Sequence, residues 1–294
     1  MAGPLIPPAS LRAAGTAATV AETPSSVAEG RAHQAEAPAS SGGTKSLVLM
    51  WAGRLLVTAA VLGAWQAVYA LKVFNPVVTG SPSKVVTFLA DNLITSGALW
   101  KSVWVTLWTT LIGFAAGSAL GIVCGLLFVR FPKLDRFSSP FFTGFNSVPR
   151  IALAPLFIVW FGLSQISSIL VGVSLTFFVL LSSTMAGAAS LERDASTLME
   201  TLGATERQRF LIATLPAAVP TLFSGLRLGL VYALLGVVSG EIIGAPSGLG
   251  QQLSYFAGSF ETNAVFGVLV VLGVMGAVIQ GAMSLVERRL LRWK

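Results

Sequence analysis

Six long apolar stretches run along the chain, at about residues 47–71, 102–129, 138–162, 166–190, 217–243 and 263–286, with polar residues gathered between them. Each is long enough as a helix to cross a hydrocarbon core of about 30 Å. A helix satisfies its own backbone donors and acceptors where no water is available, so the pattern predicts an all-α integral membrane protein with six transmembrane helices. Between the first two stretches, Asn75-Pro76 and Ser81-Pro82-Ser83 interrupt the chain. The moderately amphipathic run from Lys84 to Leu99 that follows reads as a short helix lying at the outer surface. Residues 1–46 follow another rule: they are rich in Ala, Ser, Pro, Gly and Thr, lack apolar periodicity, and nearly balance their charges. They are expected to form a disordered cytoplasmic tail ahead of a single membrane domain, 47–294. The tail has no continuous apolar core of a secretory signal, and Glu22, Glu29 and Glu36 argue against an organellar transit peptide.

Composition sharpens this picture. With 54% hydrophobic and 11% charged residues the chain falls outside the soluble globular class. Its net charge of +7 does not point to nucleic acid, because the basic residues sit at the ends of apolar stretches and form no single patch. Arg54, Arg150 and Arg227 lie within stretches. Of the others, Arg12, Arg31, Lys45, Arg130, Lys133, Arg136, Arg193, Arg207, Arg209, Arg288, Arg289, Arg292 and Lys294 fall on one side, and only Lys72, Lys84 and Lys101 on the other. The bias of positive charge toward the cytoplasm then puts both termini and the 191–216 loop inside.

Chemistry finds little foothold. Cys124 is the only cysteine and lies among Gly, Leu and Val, while His33, the only histidine, lies in the tail. Gly43-Thr44-Lys45-Ser46 lacks the Gly-Lys adjacency, the upstream glycine and the preceding strand of a phosphate-binding loop. No Ser-His-Asp set, carboxylate pair or metal-ligand spacing is present, so the chain is expected to be no enzyme and to hold no cofactor or metal of its own. Gly113, Gly117, Gly121 and Gly125 recur every fourth residue in the second stretch, and Gly225, Gly229, Gly236, Gly240 and Gly244 repeat the device in the fifth. Such stripes let two backbones approach closely, either within one subunit or at a seam between subunits.

The 191–216 loop is where charge crowds, between Glu192 and Arg209. A helix over about Asp194 to Leu202 can stop at Gly203, because glycine enters left-handed backbone angles freely. Thr205-Glu206-Arg207-Gln208 has the spacing of a capping box, so a second helix should begin near Glu206. Pro216, which has no N–H, is expected to close it. Phe210, Leu211 and Ile212 beside Arg207 and Arg209 form apolar knobs ringed by charge, a surface suited to a groove in another protein.

Gly203 followed at the right distance by Leu215-Pro216, within LGATERQRFLIATLPAAVP, resembles the cytoplasmic "EAA" loop of bacterial ABC importer permeases, where the loop docks on the ATPase subunit. The Glu-Ala-Ala positions themselves read Thr197, Leu198 and Met199 here. Two further segments, Asn146 to Gly162 (NSVPRIALAPLFIVWFG) and Gly225 to Gly250 (GLRLGLVYALLGVVSGEIIGAPSGLG), are similar to permeases of the nitrate, sulfonate, taurine and bicarbonate importer group. The three motifs fall in register over roughly residues 75–285. The resemblance implies a type I ABC importer-like fold in a bacterial inner membrane and a homodimer of permeases. It further implies two separate ATP-binding subunits that use ATP and Mg, and an external substrate-binding protein. Carried onto this sequence, it assigns ATPase coupling to Glu200, Gly203, Ala204, Thr205, Arg207, Phe210, Leu211 and Pro216.

Polar groups able to line a path are Asn146, Ser147, Arg150, Ser182, Ser183, Thr184, Ser239 and Glu241, of which Asn146, Arg150, Ser183 and Glu241 are the leading candidates. Serine and threonine in such helices commonly bond back to a backbone carbonyl. Arg150 is costly against lipid, and facing the path it favours an anion, in keeping with the oxyanion cargo of the resembled group. A secondary transporter driven by an ion gradient is the competing class; it would place carboxylates or broken helices near the midplane, and the only candidate acid, Glu241, lies near the outward end of the fifth stretch.

Overall fold

The computed structural model describes residues 43–190 and 193–290, so the tail expected over 1–46 lies almost wholly outside the described residues. Among the described residues every regular element is helical. They fall into two units that meet between Thr58 and Ala59. The division falls within the opening helix α1 (Gly43–Ala70); in the first unit Arg54 lies over the Trp51 ring at 5.1 Å, and Thr58 Oγ1 donates to the Arg54 carbonyl.

In the second unit, short α2 (Pro76–Thr79) and α3 (Pro82–Leu89) each start with proline just inside a capping Asn75 or Ser81, a position where the missing N–H costs nothing. The outer helix expected over Lys84 to Leu99 therefore starts earlier, at Pro82. It runs on as a π-helical segment, Ala90–Thr95, and stops before Gly97, whose φ of 65° starts a new direction. Long α4 (Ala98–Arg130) follows, then α5 (Pro132–Ser147) and, after a 3-10 turn Arg150–Leu153, α6 (Ala154–Phe161). Next come α7 (Gln165–Ala189), α8 (Arg193–Thr201), α9 (Glu206–Arg209), α10 (Leu215–Gly244), α11 (Leu249–Gly258) and α12 (Thr262–Leu290).

Five of these helices are long and apolar enough to cross a membrane unbroken; the expected third span is instead the pair α5 and α6, bent by 84°. Pro149 explains the break, since it disfavours helical angles at Val148, which is extended at ψ 128°. Pro216 behaves differently and corrects the expectation that it ends the loop helix. A π-helical segment, Phe210–Thr214, joins α9 to α10, with the Leu215 N–H reaching back to the Phe210 carbonyl. That wider turn relieves the crowding proline imposes, so the helix runs from Glu206 to Gly244. Helix α11 has no counterpart among the six apolar stretches, because Gln251, Gln252 and Ser254 dilute its hydrophobicity.

The core is a three-helix slab with α7 clasped between α4 and α10. Both glycine stripes face α7 within this one chain, apart from Gly244, which meets Ile158 of α6 and Leu163. A Cβ on Gly121 would lie 2.5 Å from the Phe177 carbonyl oxygen, one on Gly125 2.6 Å from Thr184 Cβ, and one on Gly240 2.7 Å from Ser168 Cα. Gly172 of α7 answers Gly236 of α10, whose Cβ would fall 2.8 Å from the Gly172 Cα. Thr176 Oγ1 crosses the seam to the Gly229 carbonyl, and Thr184 Oγ1 bonds back to Leu180 within its own helix. On the other flank of α10, Leu230, Leu249, Val268 and Met275 join it to α11 and α12.

Gly121→Leu should therefore destabilise the purified protein by roughly 1–3 kcal/mol, read as a lower thermal midpoint in detergent. Gly273→Leu, where nothing lies within 4 Å of the added Cβ, should leave that midpoint unchanged.

Candidate functional site

The loop between α7 and α10 is built as a fixed turn. Helix α8 ends in a Schellman motif, with the Ala204 N–H donating to the Met199 carbonyl and the Gly203 N–H to that of Glu200. Gly203 takes a φ of 76°, the left-handed value this motif needs. Immediately beyond it, Thr205 accepts from the Gln208 N–H while the Gln208 side chain accepts from the Thr205 N–H, a complete capping box. An ion pair between Glu200 and Arg209 ties α8 to α9, and Arg130 at the end of α4 pairs with Glu206 at 3.2 Å. Arg130 had registered in the sequence only as one of the positive charges. No local signal connects it to a residue 76 positions away.

The three apolar knobs part company, one turning in and two turning out. Phe210 is half-buried and lines a cavity of about 160 Å³ with Arg130, Pro132 and Glu206. Leu211 and Ile212 point outward, Ile212 at 66% exposure, and Leu198 and Leu202 of the α8 arm are exposed as well. Arg207 and Pro216 are exposed, and Ala204 is half-buried. The loop thus offers four exposed aliphatic side chains among charges on a rigid scaffold.

The path candidates scatter. Asn146 lies in α5, and its side chain is outside the described residues. Arg150, at the break between α5 and α6, is half-buried with its guanidinium 4.3 Å over the Phe178 ring, beside an open cavity of about 240 Å³ walled by Val148, Pro149, Ile151 and Leu175. Ser183 faces Gly225 across the α7–α10 seam. Ser147 and Ser239 donate to carbonyls four residues back in their own helices. Arg227 pairs with Glu287 of α12, which accounts for a charge within a span.

Glu241 is 1% exposed. Thr106 Oγ1 of α4 donates to its carboxylate at 2.9 Å, and the Gly250 N–H of α11 donates at 2.9 Å. Thr106 Oγ1 in turn accepts from the Leu249 N–H at 2.8 Å. Sequence reasoning missed Thr106, since a threonine within an apolar stretch gives no sign of a partner 135 residues away.

The described residues thus form a helical membrane protein with a two-helix loop between spans. Residues 117–292 match the family described as the binding-protein-dependent transport system inner membrane component, and the chain belongs to that family. It is 30% identical over 230 residues to a riboflavin transport system permease protein of Chloroflexus aurantiacus, covering 78% of this chain and 85% of the relative. To a taurine transport system permease protein of Escherichia coli it is 26% identical over 239 residues, 80% of this chain and 87% of the relative. Among solved structures its fold is similar to that of the MetNI methionine ABC transporter in an inward-facing conformation, with a TM-score of 0.57 at 24% identity, covering 65% of this chain and 95% of that one. The chain is an ABC importer permease subunit of the inner membrane, related to the nitrate, sulfonate and taurine group.

Thr205→Ala removes the cap of α9 and should cost about 1 kcal/mol of local stability. Amide exchange at Arg207 and Gln208 should rise about fivefold while exchange in α7 stays unchanged.

Proposed function

We propose that this subunit forms, with a second copy of itself, the translocation path of an ATP-driven importer whose energy comes from two separate ATPase subunits docked on the 193–214 loop. The observation that carries the reading is the loop's construction. Leu198, Leu202, Leu211 and Ile212 stand exposed on a turn held by a Schellman motif, a capping box and two ion pairs. Exposed aliphatics are ordinary on a lipid-facing span; among Glu200, Glu206, Arg207 and Arg209 they favour an apolar groove in a water-facing partner. A rigid turn also suits transmission of force, because little of the push is lost in bending the loop. ATP and Mg belong to the partner subunits in this reading, and a substrate-binding protein delivers the cargo from outside.

The cargo is a small solute, and an anionic one if Arg150 faces the path, where its guanidinium would meet an oxyanion with a single charge-assisted contact. A taurine transport permease among the relatives is in keeping with a cargo that carries a sulfonate group, and a riboflavin transport permease is among them too. Ion-gradient drive is the weaker alternative, since the one acidic candidate, Glu241, is buried in hydrogen bonds to Thr106 and Gly250.

Positive charge sets the orientation: both termini and the docking loop face the cytoplasm. In a cysteine-free background, Ile94→Cys and Phe260→Cys, both at exposed positions, should react with an impermeant thiol reagent from outside. Arg207→Cys should react only from the inside, and the reverse order would overturn the orientation.

Docking is tested by Leu211→Asp combined with Ile212→Asp, which puts carboxylates where the partner's groove would take aliphatic chains. Each lost anchor is worth roughly 1–2 kcal/mol, so ATPase binding should weaken about a hundredfold while the permease still inserts and dimerises. Unchanged co-purification and transport would reduce the segment to a connector.

A further inference from the structure

Glu241 and the start of α11 depend on each other. Among the described residues no lysine or arginine pairs with this carboxylate. Its partners are the Thr106 hydroxyl from α4 and the Gly250 N–H from the first turn of α11. The compensation available to the carboxylate is therefore the positive end of the α11 dipole and neutral hydroxyl and N–H donors. In the other direction, α11 has no capping side chain of its own, since Gly248 occupies the cap position and makes no such bond. The orphan N–H groups of Leu249 and Gly250 are met by Thr106 and Glu241. Two glycines make the contact fit: a Cβ on Gly248, at φ 126°, would lie 2.3 Å from the carboxylate, and one on Gly250 would lie 2.7 Å from Glu241 Cβ.

This arrangement has two comfortable positions and a poor one between them. With α11 seated, carboxylate and N–H groups satisfy each other out of contact with solvent. With α11 lifted clear, water reaches both. Part-way, a dry carboxylate faces bare N–H groups across a gap too narrow for water, which is the costly state. The short connection Ala245–Gly248 gives α11 a pivot beside the end of α10.

We propose that Glu241 and Thr106 form a latch that seats α11 over the outer ends of α4 and α10, and that α11 is a movable cover of the translocation path which the latch holds shut. Glu241 is then a positioning residue for transport and not a ligand for cargo. The proposal rests on the importer reading above, with the connection after α10 on the outer side.

The test uses the assembled importer in proteoliposomes, with Cys124→Ala and a single reporter, Leu249→Cys, at a position with 0% exposure. An impermeant thiol reagent applied outside should label the reporter slowly at rest and about tenfold faster during ATP-driven turnover. Adding Glu241→Ala should make resting labelling fast and abolish net uptake. Glu241→Gln keeps an oxygen that accepts the same two hydrogen bonds, and should restore slow resting labelling and part of the uptake. Thr106→Val removes only the hydroxyl at nearly constant shape and should speed resting labelling if Glu241→Ala does not assemble. A labelling rate indifferent to turnover, or unchanged by both Glu241→Ala and Thr106→Val, would overturn the latch and leave a static cap. Failure of the importer reading looks different, because the parent complex would then neither retain its ATPase subunits nor couple hydrolysis to uptake.

Discussion

The close approach of backbones along the two faces of α7 is the constraint on which the rest depends. In a bilayer, helices gain nothing by hiding apolar surface from one another, because lipid tails are as apolar as leucine. What remains is van der Waals contact, and that needs the helix axes to come near. Glycines at Gly117, Gly121 and Gly125 on one side and Gly225, Gly229 and Gly240 on the other leave spaces that even a methyl group would overfill. The slab of α4, α7 and α10 is thereby one closely packed piece within the second unit. The 191–216 loop leaves at the end of α7 and returns at the start of α10, two helices already held together by Gly187 against the Ala218 carbonyl and by Ser190 Oγ reaching the Ala217 carbonyl. A force on the loop reaches both helices at once.

Local rules made most of the loop legible. A left-handed glycine and a Thr-x-x-Gln cap act over four or five residues, so Gly203 and Thr205 could be read directly and both stand as expected. The helical spans were legible for a similar reason, since membrane thickness sets their length. What could not be read was pairing at a distance. Thr106 with Glu241, Arg130 with Glu206 and Phe178 with Arg150 join residues far apart in the chain, and a single sequence holds no trace of such contacts. The orientation of Phe210 belongs to the same class: its neighbours Leu211 and Ile212 look equivalent in sequence, and only the cavity beside Arg130 separates them.

Proline shows where a local rule runs out. Pro149, Pro216 and Pro220 all lack an N–H, yet Pro149 marks an 84° break and the other two sit within one helix from Glu206 to Gly244. The difference lies in what surrounds each. Before Pro216 the chain widens into a π-helical segment, which gives the ring room and leaves the helix axis continuous. Before Pro149, Val148 goes extended, and a 3-10 turn restarts the chain in a new direction. Unpaired backbone at that break is tolerable in a membrane only where protein or water covers it. This is the region where Arg150 lies over Phe178, so an arginine sits where the span is least regular.

Rigid and mobile parts then divide along a physical line. Contacts made by glycine against backbone have one good distance and degrade steeply on either side of it, so the slab moves as a body. Contacts made by hydrogen bonds to a helix terminus can be exchanged for water with little change in free energy, provided the exchange is complete. Helix α11 is held by contacts of the second kind at its start and by Leu249 and Leu253 against the core along its length. An element so attached can be displaced without breaking the slab, whereas displacing α7 would strip both glycine seams. The chain thus concentrates its steep glycine contacts in the slab and its exchangeable hydrogen bonds at the start of α11.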